Sequence, residues 1–169
     1  MRSGIAFGSN LGNRLANLRE AYQQVAALNK TGALVLASSI YETSPVDSEP
    51  GTGEYLNAVA EIGFDDSPVA LLDHLLKIES KLGRPTRRPR NAPREIDLDV
   101  LYVGDLLLSK PGIIVPHPRL AKRRFVLAPL GEIAPDLVLP GQTRPVSMLL
   151  EELDTPEKVK RLPYRLSND

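Results

Sequence analysis

The sequence predicts an α+β fold of the ferredoxin-like kind: a βαββαβ antiparallel sheet with its helices on one face, followed by a C-terminal extension of a hairpin and short helices. Three observations carry this expectation. Apolar residues recur at helical spacing over 11–25 and again over 71–82. Short runs rich in strand formers, each bounded by Gly, Pro or Ser, lie around them. Their order along the chain is strand, helix, strand, strand, helix, strand.

Ile5-Ala6-Phe7 is the first strand, closed by the turn Gly8-Ser9-Asn10. Leu11, Leu15, Leu18, Tyr22 and Val25 then form one helical stripe, with Asn13 placed to cap the helix. Leu34 to Thr43 reads as a strand ended by Ser44-Pro45, and residues 44–54, with two prolines and two glycines, as a loop. From Tyr55 to Phe64 the pattern alternates. Leu56, Ala58, Ala60 and Ile62 make an apolar face, and Tyr55, Asn57, Val59 and Glu61 face the other way. Ser67-Pro68 starts a second helix, whose stripe is Leu71, Leu75, Ile78 and Leu82 and whose stop is Gly83. Glu95 to Val103 is the last core strand, with Ile96, Leu98, Val100 and Tyr102 expected on one face and Glu95, Asp97 and Asp99 on the other. From Pro111 the chain reads as loops and short helices. One domain is expected over 1–169, with its core in 5–150 and a polar surface tail over 155–169.

Composition narrows the function classes. The 169 residues carry 21 Lys+Arg against 21 Asp+Glu, so no net field favours nucleic acid or an anionic surface. Cysteine is absent, which excludes disulfides, zinc–thiolate sites and a thiol nucleophile. No apolar run approaches the ~20 residues of a spanning helix, and the N-terminus lacks signal-peptide anatomy. The expectation is a cytoplasmic protein with no membrane partner.

The chemistry concentrates in residues 84–125. Asp97 and Asp99 share a strand face with Cα atoms about 7 Å apart, so their charges repel unless water, an arginine or a cation lies between them. Mg²⁺ suits such a pair because it takes few carboxylates and completes its shell with water and phosphate oxygens. A solvated polar face explains the strand alone equally well. Arg84, Arg87, Arg88, Arg90 and Arg94 fall within eleven residues that contain no acid. Guanidinium forks suit phosphate oxygens, and beside paired carboxylates the joint reading is a metal–triphosphate site. A second basic cluster holds His117, fixed between two prolines, then Arg119, Lys122, Arg123 and Arg124, with Phe125 following. Tyr55 and Asn57 share a face that would suit a planar heterocycle.

The run Arg90-Asn91-Ala92-Pro93-Arg94-Glu95-Ile96-Asp97-Leu98-Asp99-Val100-Leu101 resembles the signature of the 6-hydroxymethyl-7,8-dihydropterin pyrophosphokinase family. Other blocks similar to that family stand in order around it: Gly8 to Gly12, Tyr41 to Val46, Tyr55 to Val59, Ile78 to Arg84, and Val115 through Leu130. The resemblance implies a single catalytic domain of folate biosynthesis that transfers the pyrophosphoryl group of ATP to the hydroxymethyl group of 6-hydroxymethyl-7,8-dihydropterin and releases AMP. By the same resemblance Asp97 and Asp99 would hold two Mg²⁺ ions, and Arg84 and Arg94 would be catalytic with them. Glu79, Arg84, Arg94, His117 and Arg123 would bind ATP. Thr43, Pro45, Val46, Tyr55, Asn57, Asp97 and Phe125 would surround the pterin. A monomer is expected. The rival reading, a nucleic-acid module using an open sheet face, is disfavoured by the 5% aromatic content and by carboxylates where a phosphate backbone would lie. A nucleotidyltransferase would bring its Gly-Ser turn and Asp-x-Asp close in sequence, whereas Ser9 and Asp97 lie far apart.

Overall fold

A computed structural model describes residues 1–45, 53–83 and 93–168. The first strand, β1, runs Arg2–Ser9. It leads through a turn into α1, Arg14–Ala26, where the Asn13 side chain accepts the Ala16 N–H as the expected cap. The buried stripe of α1 is Leu18, Ala21 and Val25, while Leu11 precedes the helix and is largely exposed. The strand expected over 34–43 is split into β2, Leu36–Ala37, and β3, Ser39–Thr43. Ser38 makes the break: its buried hydroxyl donates to the Ser39 carbonyl and accepts the Val59 N–H. This local bonding competes with a regular ladder.

Next come β4, Tyr55–Gly63, and α2, Pro68–Lys81, which the Ser67 hydroxyl caps by accepting the Ala70 N–H. Gly83 ends that region at φ +93°, where only glycine is unstrained. Then follow β5 (Asp97–Val103), the hairpin of β6 (Leu108–Lys110) and β7 (Ile113–Val115), and a 3-10 turn over Leu120–Lys122. Two helices, α3 (Arg124–Ile133) and α4 (Val146–Glu152), and a last strand, β8 (Val159–Arg165), complete the described chain.

The main sheet has the order β5-β1-β4-β3-β8, with β2 also alongside β4, and its pairings are antiparallel. Its end differs from the sequence expectation. Within the segment read as a surface tail, β8 pairs with β3, with Thr43 opposite Val159, and Leu166 is fully buried. The polar composition misleads because an edge strand has one flank in solvent and tolerates Lys and Pro, here Lys160 and Pro163.

Helices α1 and α2 close one face, where Leu71 and Leu75 of α2 share a core with Ile5, Phe7, Ala58, Ile62 and Leu98 of the sheet. The opposite face was expected to stay open, and only part of it does. Val59, Leu101 and Tyr102 pack there against Leu127 and Leu130 of α3 and Val146 of α4. A single carboxylate fixes how α3 lies: Glu132 accepts from the Ser39 N–H and hydroxyl, the Tyr41 hydroxyl and Arg161. Burial and the Glu132 charge push the Tyr41 hydroxyl well above its ordinary range, so it remains a donor.

The alternation expected for β5 fails at Tyr102. The pairing with β1 shifts between Gly4 and Ile5: Gly4 faces Tyr102 and Ile5 faces Val100, leaving Leu101 as the extra residue of a bulge. Tyr102 therefore moves to the second core, where its hydroxyl donates to Glu61. Its ring lies directly on Gly4, where a Cβ would collide with it. Gly4→Ala should lower stability by about 1–3 kcal/mol, the cost of overpacking a filled core. Gly53→Ala, where an added methyl meets nothing within 4 Å among the described residues, should change it by less than about 0.5 kcal/mol. Denaturant melts of the two variants would check this.

Candidate active site

The open part of the second sheet face is set by register. Gly8 of β1 pairs with Asn57 of β4 on one side and Asp97 of β5 on the other, and Ala6 pairs with Val59 and Asp99. Cross-strand partners share a face, so Asn57, Gly8 and Asp97 form one row, and Val59, Ala6 and Asp99 the next. Gly8 supplies the floor because it has no side chain: a Cβ there would stand 3.0 Å from Asn57 Oδ1. The cavity above is about 220 Å³ and is lined by Thr43, Tyr55, Asn57, Arg94, Asp97, Asp99, His117, Arg123 and Phe125, among others.

Two walls come from outside the sheet. At the start of α3, the Arg123 guanidinium stands 5.3 Å from the Phe125 ring centre, a cation–π contact that joins a positive charge to a flat apolar surface. Burial, and then the neighbouring Arg119, lower the Arg123 pKa from its ordinary value. An anion at this position would relieve both effects. His117 follows the cis Val115–Pro116 bond, its N–H donates to the Leu101 carbonyl, and its Nδ1 accepts the Arg119 N–H. This leaves Nε2 as the ring's remaining polar atom. Burial, with Arg123 and Arg119 nearby, pushes the His117 pKa down to about 4.

On the other side, Arg94 Nη1 lies 2.9 Å from Asp97 Oδ1, a partly buried pair. Burial alone would lower the Arg94 pKa, but the charge and hydrogen bond of Asp97 outweigh it, and the net shift is upward. The Asn57 amide is oriented by donating to Thr43 Oγ1 at 2.6 Å. Among the described residues no group of three or more His, Cys, Asp or Glu is placed to hold a metal ion. Asp97 and Asp99 are a pair, and a pair suits a cation that completes its shell with ligand and water oxygens.

Of the residues expected from sequence, Thr43, Tyr55, Asn57, Arg94, Asp97, Asp99, His117, Arg123 and Phe125 are brought together here. Glu79 is buried away from the lining, where its Oε1 accepts the Leu98 N–H at 2.7 Å. It braces the strand that carries both aspartates. Pro45 lies beside the cavity residue Ser44 without lining it. Arg84 and Val46 fall outside the described residues. Sequence reasoning did not place Ser44, Arg119, Ala6, Phe7 or Gly8 in the site, although all five line it. Arg119 had a visible signal, two positions after His117. Gly8 had one only in register, which pairing reveals and composition does not.

A family model described as 7,8-dihydro-6-hydroxymethylpterin-pyrophosphokinase (HPPK) matches residues 4–135. The chain belongs to this family. The match to HPPK takes in every residue named for the site. Relatives named 2-amino-4-hydroxy-6-hydroxymethyldihydropteridine pyrophosphokinase are 40% identical in Haemophilus influenzae, over 81% of this chain and 84% of that one. In Bacillus subtilis the identity is 45%, over 76% and 75%. In Methylorubrum extorquens it is 38%, over 95% and 98%. The fold is also that of the wild-type Plasmodium falciparum HPPK-DHPS crystal structure, with TM-score 0.65 and 12% identity over 89% of this chain; the chain spans 44% of that larger one. Membership makes the protein a pyrophosphokinase, a diphosphotransferase of folate synthesis.

The low pKa of His117 has a sign that can be tested. Between about pH 4 and 6.5 the unfolded chain binds a proton at this residue that the folded chain does not. Folding is unpenalised by His117 above 6.5 and loses stability as pH falls from there toward 4. His117→Asn should therefore lose less stability than the parent over that interval, measured by melting temperature against pH. Titration of the His117 ring by NMR with a midpoint near 6.5 would contradict this.

Proposed function

We propose that the cavity transfers the β,γ-pyrophosphoryl group of ATP to the hydroxymethyl oxygen of 6-hydroxymethyl-7,8-dihydropterin, with Mg²⁺ and with release of AMP. One observation carries the reading: a carboxylate pair, three arginines, an imidazole and an aromatic wall converge on one cavity. Cations and carboxylates together suit a triphosphate with its metal, and the flat wall suits a heterocycle.

In this reading the pterin lies between Tyr55 and Phe125, with Asn57 and Thr43 at its edge, and Pro45 and Val46 belong to the pterin side by family resemblance. Arg94, His117 and Arg123 receive phosphate oxygens, and Glu79 and Arg84 belong to the nucleotide side. Asp97 and Asp99 would hold the magnesium, two ions by family resemblance. That metal supplies neutralisation of charge on the phosphoryl oxygens. The substrate alcohol attacks the β-phosphorus as the bond from that phosphorus to the α,β-bridging oxygen breaks. The alcohol proton leaves toward the Asp97 side, and AMP departs with the bridging oxygen. Little covalent work falls to the protein. It orients the two reactants in line, and Arg94 and Arg123 offset the charge that spreads over the transferred group.

The order β5-β1-β4-β3, with α1 and α2 on one face, supports the ferredoxin-like reading of the core. A single-domain monomer is the unit proposed for this activity.

Incubation with ATP, Mg²⁺ and hydroxymethyldihydropterin should yield AMP and the diphosphorylated pterin. Release of ADP, or of pyrophosphate, or ATP cleavage that ignores the pterin, would contradict the reading. Asp97→Asn and Asp99→Asn should each cut kcat by at least about 100-fold, the scale of losing a charge-stabilising group, while the circular dichroism spectrum is preserved. Phe125→Ala should raise the pterin KM about 10-fold, consistent with loss of one stacking face and its apolar contact.

A further inference from the structure

We propose that Asn10 is a positioning residue that sets Arg94 against Asp97, and that its amide is required in place of a carboxylate because it holds Arg94 without adding a charge. The inference rests on the phosphoryl-transfer reading of the cavity and adds a residue that does not line it.

The Asn10 N–H donates to the Arg94 carbonyl at 3.1 Å, and the Arg94 N–H donates to Asn10 Oδ1 at 2.8 Å. This two-way clamp ties the turn after β1 to the segment just before β5. The turn is itself anchored: Asn17 Nδ2 of α1 donates to the Leu11 carbonyl at 3.0 Å. Arg94 then reaches Asp97 Oδ1 at 2.9 Å. Rigidity therefore passes from α1 through Asn10 to the Arg94 backbone, and from there to a guanidinium facing the paired aspartates.

The choice of side chain carries a cost. Asn10 Nδ2 is buried and has no hydrogen-bond partner among the described residues. An unsatisfied buried donor costs about 1–3 kcal/mol, so an amide here needs a reason. Aspartate would offer the same acceptor to the Arg94 N–H with no orphan donor. It would also bring a full negative charge to the Arg94 backbone, close enough to compete with Asp97 and with phosphate for the guanidinium. Asparagine gives the acceptor and stays neutral.

The test uses the full chain. Hydrogen exchange at the Arg94 amide should be slow in the parent and in Asn10→Asp, and fast in Asn10→Ala. This readout is independent of turnover. In the ATP, Mg²⁺ and pterin assay, Asn10→Ala should lower kcat roughly 10-fold with the pterin KM within about 2-fold, a coupling of the size expected for residues in one network. Adding Asn10→Ala to Arg94→Ala should cost less than about 2-fold more. Asn10→Asp should keep the parent melting temperature or exceed it, yet stay several-fold below the parent in kcat. Multiplying losses in the double variant, full activity in Asn10→Asp, or an Arg94 amide that exchanges slowly in Asn10→Ala would overturn the proposal. A parent protein that makes no AMP would instead defeat the phosphoryl-transfer reading, and the exchange result would still decide the positioning role.

Discussion

Two like charges held on one strand face set the problem that the rest of the site answers. Asp97 and Asp99 cannot turn away from each other without breaking the β5–β1 register, since Asp97 is locked opposite Gly8 and Asp99 opposite Ala6. Their repulsion favours any arrangement that brings positive charge near, and the fold supplies it from two directions. Arg94 approaches from the chain just before the strand, and Arg123 from the start of α3.

The elements that make this possible lie outside the cavity. Helix α3 must lie over the sheet at one defined place for Arg123 and Phe125 to form a wall. Glu132 fixes that place through four donors on β3 and β8. The edge strand β8 thus has a structural link to the site through Arg161, although it contributes nothing to the lining. Likewise the bulge at Leu101 turns Tyr102 into the second core and lets α3 and α4 find a continuous apolar floor. Glu79 braces β5 from its far side by accepting the Leu98 N–H between the two aspartates in sequence.

Local patterns in the sequence carried most of the frame. Both helix starts were readable because Asn13 and Ser67 cap by side-chain chemistry that depends only on neighbours. The faces of β4 were readable because its alternation is unbroken, and the paired carboxylates because β5 is regular up to Val100. What escaped depends on distant partners. The Ser38 break needs Val59, the Tyr102 reversal needs Gly4, and β8 needs the flank of β3. Gly8 and Ser44 stand in the family-like blocks Gly8 to Gly12 and Tyr41 to Val46, but their place in the lining is a position beside other strands. Tyr55, Phe125, Asp97 and Asp99 were found together because each has a chemical signal of its own, whereas Glu79 lies behind β5.

The proposed role of Asp97 and Asp99 is to hold a divalent cation which also meets the triphosphate. Co-crystals with Mn²⁺, a non-hydrolysable ATP analogue and the hydroxymethyldihydropterin would test it through the anomalous signal of the metal. Metal density is expected between the two carboxylates, in contact with analogue oxygens, with a pterin stacked on Phe125. Metal bound only elsewhere, or a triphosphate lying away from Arg94, His117 and Arg123, would contradict it.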